Sequence, residues 1–181
     1  MFIDPAETSL IVIDLQERLA PAMSDFEPCA KNVELLLNGA RALRLDVIVT
    51  EQYPKGLGPT LPRFAELLPE NTPVIAKTGF SVFEEPAFRT ALSSKPRKNL
   101  LICGIESHVC VLQSIYDARE RGLRVLLAAD AVTSRKASDR ELALQAARDA
   151  GAAVVSSEAL LFMMLRDAKN PAFKAVSKLV K

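Results

Sequence analysis

Three side chains of the kinds that carry out acyl transfer stand at the ends of apolar runs. They are Asp14 in "IVIDLQ", Lys77 in "VIAKTGFSVF" and Cys110 in "GIESHVCV". A thiolate attacks carbonyl carbon, a carboxylate can take the thiol proton, and an ammonium favours both charged forms. Cys110 sits where the pattern changes period. Residues 101–103 are an unbroken apolar run, whereas Val109, Val111, Leu112, Ile115 and Tyr116 fall near the spacing of one helix face. A cysteine at a helix N-terminus meets free N–H groups and a partial positive charge, which lower a thiol pKa and can hold an oxyanion. Bland readings stand beside these. Asp14 could be an N-cap or a surface acid, Lys77 a solvated lysine, and a lone cysteine a small core hydrophobe, which is how we read Cys29 and Cys103.

The elements that would position these groups follow from the apolar pattern. Residues 9–13, 46–49, 73–76, 99–103, 124–129 and 152–155 read as strands that are apolar on both faces. Residues 33–43, 86–92, 109–121, 138–150, 158–166 and 172–180 read as helices. Ser138 with Glu141 three residues on suggests a capping box, and Gly151 a C′ residue. The Pro- and Gly-rich stretch "EQYPKGLGPTLP" reads as a long loop, a feature more common at functional sites than in plain connectors. Strands alternating with helices imply a parallel sheet covered on both sides. The expected fold is therefore one α/β domain over residues 1–181, Rossmann-like and three-layered, with a six-stranded parallel sheet in the order 3-2-1-4-5-6. That order switches direction between strands one and four, and ligands bind there, outside the carboxyl ends. Asp14, Lys77 and Cys110 should then face one crevice.

Bulk properties exclude other classes. With 181 residues, 49% of them hydrophobic and 25% charged, the chain is long enough for a sizeable core. A net charge of +1, with no basic stretch interleaved with aromatics, argues against nucleic acid as a partner. Lys174, Lys178 and Lys181 alternate with apolar residues, as on an amphipathic surface helix. No apolar run approaches the roughly 20 residues of a membrane span. Three cysteines without CxxC spacing, and no leader-like N-terminus, point to reduced thiols in a cytoplasmic protein.

Four stretches resemble the isochorismatase-like cysteine hydrolases, which include nicotinamidases. They are "LIVIDLQ", "VIAKTGFSVF", "LLICGIESHVCVLQSIYDARERGLRVLLAADAVTSR" and "ALQAARDAGAAVVSSEALLF". The resemblance implies a general base at Asp14, a charge partner at Lys77 and a nucleophile at Cys110. It also implies a cis peptide at Ile105-Glu106, which aims the backbone N–H of Glu106, with that of Cys110, at an oxyanion. Nicotinamidases hold a metal through an aspartate and histidines after strand two. Here "TEQYPKGLGP" occupies that place and His108 is the only histidine. Glu51 or Glu106 could touch an ion, but such a metal site is not expected. The chain is most similar to the metal-free, isochorismatase-domain-containing branch, with no cofactor. Gln16, Tyr53, Phe80, Phe83 and His108 are candidate substrate contacts, His108 being either a pocket wall or a cap on its turn. The expected activity is hydrolysis of a small amide or related carbonyl substrate through a covalent thioester, with vinyl-ether hydrolysis a variant. The alternative is a non-catalytic, homo-oligomeric partner-binding protein that retains the fold. The family resemblance implies a homo-oligomer in either case.

Overall fold

Side-chain alternation along the strands decides the layering. In the computed structural model, which describes residues 3–94 and 97–181, the first strand β1 (Thr8–Ile13) is buried at all six positions. Leu10 and Val12 point into one apolar layer and Ile11 and Ile13 into the other. The other strands are β2 (Asp46–Gln52), β3 (Val74–Lys77), β4 (Asn99–Ile105), β5 (Arg124–Thr133) and β6 (Ala153–Val155). They form one parallel sheet in the order β3-β2-β1-β4-β5-β6, as the apolar pattern implies.

The helices are α1 (Phe26–Leu43), α2 (Pro54–Leu57), α3 (Pro62–Ala65), α4 (Pro86–Ser93), α5 (Leu112–Glu120), α6 (Ala137–Asp149), α7 (Ser157–Leu165) and α8 (Phe173–Leu179). Helices α1, α7 and α8 close one face of the sheet through Val33, Leu36, Leu37, Leu161 and Val176. Helices α4, α5 and α6 close the other through Phe88, Ile115, Ala118 and Ala147. Among the described residues no helix is long and apolar enough to cross a membrane.

Four details depart from the sequence reading. The stretch expected as loop after β2 holds two single-turn helices, α2 and α3, each started by a proline whose missing N–H is no loss there. The fifth strand runs on to Thr133, because a bulge over residues 128–131 lets β5 resume pairing with β4 at Val132. No capping box forms at α6: the helix starts at Ala137 behind Lys136, which makes no side-chain cap bond. Gly151 does take the left-handed conformation past its end, with φ +83°. Finally, the segment read as one helix from residue 109 opens instead with a wide π-helical turn, Ser107–Val111, before α5 begins.

One glycine is required by contact. Gly104 near the end of β4 has φ +119°, and a Cβ built there would lie 2.1 Å from the Ile13 carbonyl oxygen of β1. The two central strands approach closely at the sheet edge where Asp14 follows.

Candidate active site

Asp14 leaves β1 in the left-handed region at φ +55°, where aspartate is tolerated better than most residues. Its carboxylate is fully buried, and both oxygens are occupied. Oδ1 accepts from the Thr50 hydroxyl at 2.7 Å, and Oδ2 accepts from Lys77 Nζ at 2.8 Å. The ion pair is 0% exposed on both sides. Burying two charges is costly unless each is paired and its remaining hydrogen-bonding capacity used. Lys77 meets that condition: Nζ also donates to Gln52 Oε1 at 2.6 Å, with the carbonyls of Phe80 and Gly79 at 3.1 and 3.3 Å. Three ammonium protons face four acceptors, so Lys77 is a fixed charge with no proton to spare for a ligand.

Cys110 lies in the π-helical turn and is 5% exposed. Wide turns of this kind recur at functional sites. The helix-terminal setting leads one to expect a lowered thiol pKa, but the structure reverses that. Burial and, next, the Asp14 carboxylate push the Cys110 thiol up to about 12, against a smaller downward pull from Lys77. Cys110 therefore rests as a thiol beside a carboxylate that can take its proton, not as a preformed thiolate. Cys29 is also raised to about 12, and Cys103 is well above its usual value, both through burial first.

The turn before Cys110 is tightly specified. The Ile105-Glu106 peptide is cis, and the Glu106 carbonyl accepts from the N–H groups of Val109 and Val111 at 3.1 and 3.2 Å. The Glu106 carboxylate is engaged by Arg135, through its backbone N–H at 3.2 Å and its Nε at 3.0 Å. His108 Nδ1 lies 3.0 Å from the Ser134 hydroxyl and Nε2 3.8 Å from Asp139, so its ring ties the turn to α6. It makes no cap bond to its own turn, so the contacts to Ser134 and Asp139 replace the cap expected from sequence.

The candidate substrate contacts divide. Tyr53 and Phe80 are 56% and 52% exposed on the two segments that flank Lys77, and Tyr53 borders a cavity of about 300 Å³ shared with Lys77. Gln16 is not available to a ligand. Its amide is fully buried and spends Nε2 on the carbonyls of Gln52 and Gly58, and Oε1 on the Gln52 N–H, pinning the 53–60 segment to β2. Phe83 is core, edge-on to Phe88 with ring centroids 5.2 Å apart. Glu51 is spent on Thr60, whose N–H and hydroxyl both donate to it. Among the described residues no group of three or more His, Cys, Asp or Glu side chains is placed to hold a metal ion.

Thr50 and Gln52 touch the charged pair and were not among the residues singled out from sequence. A signal exists: both lie at the carboxyl end of β2, two apart and so on one face, opposite Ile13 and Lys77. Polar residues there have a reason to be polar.

The comparisons agree with this architecture. A model of the isochorismatase domain matches residues 8–159. The chain is 39% identical over 171 residues to isochorismatase domain-containing protein 2 of Danio rerio, covering 94% of this chain and 85% of that one. A solved structure described as the MAR1 ribonuclease from Caenorhabditis elegans superposes with a TM-score of 0.95 at 42% identity, covering 99% of this chain and 92% of that one. Another, YcaC from Pseudomonas aeruginosa with hexane-2,5-diol and covalent acrylamide, does so with a TM-score of 0.91 at 27% identity, over 98% and 91% of the two chains.

Proposed function

The chain belongs to the isochorismatase family, and from that premise we propose that it is a cysteine hydrolase of a small amide or related carbonyl compound. The observation that carries this reading is the dry Asp14–Lys77 pair, 2.8 Å across, acting on the Cys110 thiol. A module that only bound partners would gain by replacing a buried ion pair with packed hydrophobic side chains, since such pairs often cost stability. Its retention fits chemistry.

In the proposed cycle the Asp14 carboxylate takes the Cys110 proton as sulfur attacks the carbonyl carbon. Negative charge gathers on the substrate oxygen and is met by the backbone N–H groups of Glu106 and Cys110. The tetrahedral adduct collapses: the C–N bond breaks, the protonated Asp14 returns its proton to the leaving amine, and a thioester remains. Water then gives a proton to Asp14 as it attacks the thioester. Collapse releases the acid and sulfur regains the proton. Lys77 stays charged throughout. Its protons are committed, so Asp14 alone carries the shuttle.

Acrylamide tests the nucleophile directly, being a small amide-derived electrophile and, in the YcaC structure, one described as covalent. Brief treatment followed by mass spectrometry should place the adduct on Cys110, not on Cys29 or Cys103. The labelling rate should climb about tenfold per pH unit as the thiolate fraction grows, with no plateau below about 12. A plateau near neutral pH would mean a preformed thiolate, and faster labelling of Cys29 would remove Cys110 from its role.

A second expectation is that turnover survives exhaustive chelation. Donors in a preorganised oxyanion hole are typically worth about 3–4 kcal/mol each, enough for this chemistry without a Lewis acid. Loss of activity on chelation with recovery on adding zinc would overturn it. The ribonuclease name of one similar structure supplies a rival substrate class. Against it stand the near-neutral charge and an Asp14 with no exposed surface, out of reach of a polymer backbone. RNA cleavage that is lost on Cys110→Ala would favour the rival.

A further inference from the structure

Helix α5 grips more than the nucleophile turn. Ser114, four residues after Cys110 and fully buried, donates its hydroxyl proton to the Cys110 carbonyl at 2.6 Å. The same hydroxyl accepts from the Val82 N–H at 3.0 Å. One turn further along, Asp117 accepts from the Ser81 hydroxyl. At the end of the helix, the Arg121 guanidinium lies 4.8 Å from the centroid of the Phe83 ring and also bonds Asp117 at 3.1 Å. Three successive turns of the helix therefore hold residues 81–83. The residues just upstream, Gly79 and Phe80, present the carbonyls that receive the Lys77 ammonium.

We propose that Ser114 is a positioning residue that locks the nucleophile turn to the segment holding Lys77, and so sets the cation against the thiol. It alone on α5 bonds both arms: the carbonyl of the nucleophile on one side and the 79–83 segment on the other. Lys77 ends β3 whereas Cys110 lies in the turn after β4, so strand pairing fixes the backbone of Lys77 but not the distance between ammonium and sulfur. A single hydroxyl that donates in one direction and accepts in the other supplies that constraint. The inference rests on the cysteine chemistry proposed above, but its test does not need turnover.

The test is acrylamide labelling of Cys110 in Ser114→Ala and Ser114→Thr, with Cys29 as an internal reference. If Ser114 positions the cation, Ser114→Ala slows Cys110 labelling roughly tenfold at a fixed pH, the scale of one lost buried hydrogen bond. Cys29 labelling stays unchanged, and Ser114→Thr, which keeps the hydroxyl, restores the Cys110 rate. If the hydroxyl merely stabilises packing, its loss loosens the turn and labelling of Cys110 rises, while Cys29, in the layer on the opposite face of the sheet, keeps its rate. That outcome overturns the proposal, as does an unchanged Cys110 rate in Ser114→Ala. Should Ser114→Ala not fold, Ser81→Ala removes the neighbouring tie to Asp117 and is expected to slow Cys110 labelling about threefold in the same direction; faster labelling there counts against the proposal. A protein that hydrolyses no amide yet shows the Ser114 contrast refutes the hydrolase reading and leaves the positioning role intact.

Discussion

Asp14→Asn is expected to lower amide turnover by roughly 10³–10⁴-fold while making the Cys110 thiol more acidic. The two effects have opposite signs for a stated reason. The Asp14 charge is the second-largest influence raising the Cys110 pKa, after burial, and Lys77 opposes it. Removing the carboxylate charge leaves the ammonium facing the thiol alone, so more thiolate forms at a given pH. Acrylamide labelling should therefore speed up in the variant although hydrolysis all but stops. An asparagine cannot accept the thiol proton or hand it to the leaving amine, so a better-ionised sulfur does not help. Parallel measurement of labelling and turnover decides the role. If both fall together, Asp14 acts only by holding the site in shape. The variant also leaves Lys77 buried without its counter-ion, a change of the kind that costs about 3–5 kcal/mol. Rates must accordingly be compared on the folded fraction.

Gly104→Ala should be the most damaging glycine-to-alanine change in this protein. The new carbon would lie 2.1 Å from the Ile13 oxygen, 2.6 Å from its nitrogen and 2.8 Å from its carbonyl carbon. All three are backbone atoms of the neighbouring central strand, so no rotamer change relieves the clash. The φ of +119° adds strain that only glycine avoids. We expect a loss of at least about 4 kcal/mol, at the edge of what single substitutions do. Urea denaturation followed by circular dichroism would measure it. A midpoint within the error of the parent would show that β1 and β4 can separate freely there. Their separation would also carry Asp14 away from Thr50 and Lys77, so any folded remnant should be inactive.

The strand order was legible because every strand but the edges is buried on both faces, and burial leaves unbroken apolar runs that topology rules can arrange. The strand ends then pointed to Asp14, Lys77 and the Cys110 turn without side-chain coordinates. What was not legible has physical causes. Asp130 breaks the apolar run of β5 because it lies in the bulge before pairing resumes at Val132, and its carboxylate is taken up there by the Ser157 N–H and hydroxyl at 2.8 and 2.6 Å. Ser138 and Glu141 have the spacing of a capping box, but spacing does not say which residue is the cap, and the cap position falls at Lys136, two residues earlier. Gln16 and Phe83 have the chemistry of ligand contacts and the burial of scaffold, a distinction that only coordinates make. The direction of the Cys110 pKa shift was misread for a related reason. A helix terminus can be named from sequence, but the desolvation that outweighs it cannot.

The wide turn at Ser107–Val111 ties function to the length of the chain as well as to its letters. An α-helical turn holds 3.6 residues, each rotating the chain by about 100°, and a π-helical turn accommodates one residue more. Removing a single residue between Glu106 and Cys110 would let the turn tighten into the regular spiral of α5 with little loss of helix. The sulfur would then leave the helix axis on a different bearing from Asp14. Substitution erodes such a site gradually, one contact at a time, whereas a one-codon deletion here is expected to leave a folded protein without the proposed cysteine chemistry. Within descendants of this sequence, a gap in that five-residue window would mark a lineage that has given up the chemistry and kept the scaffold.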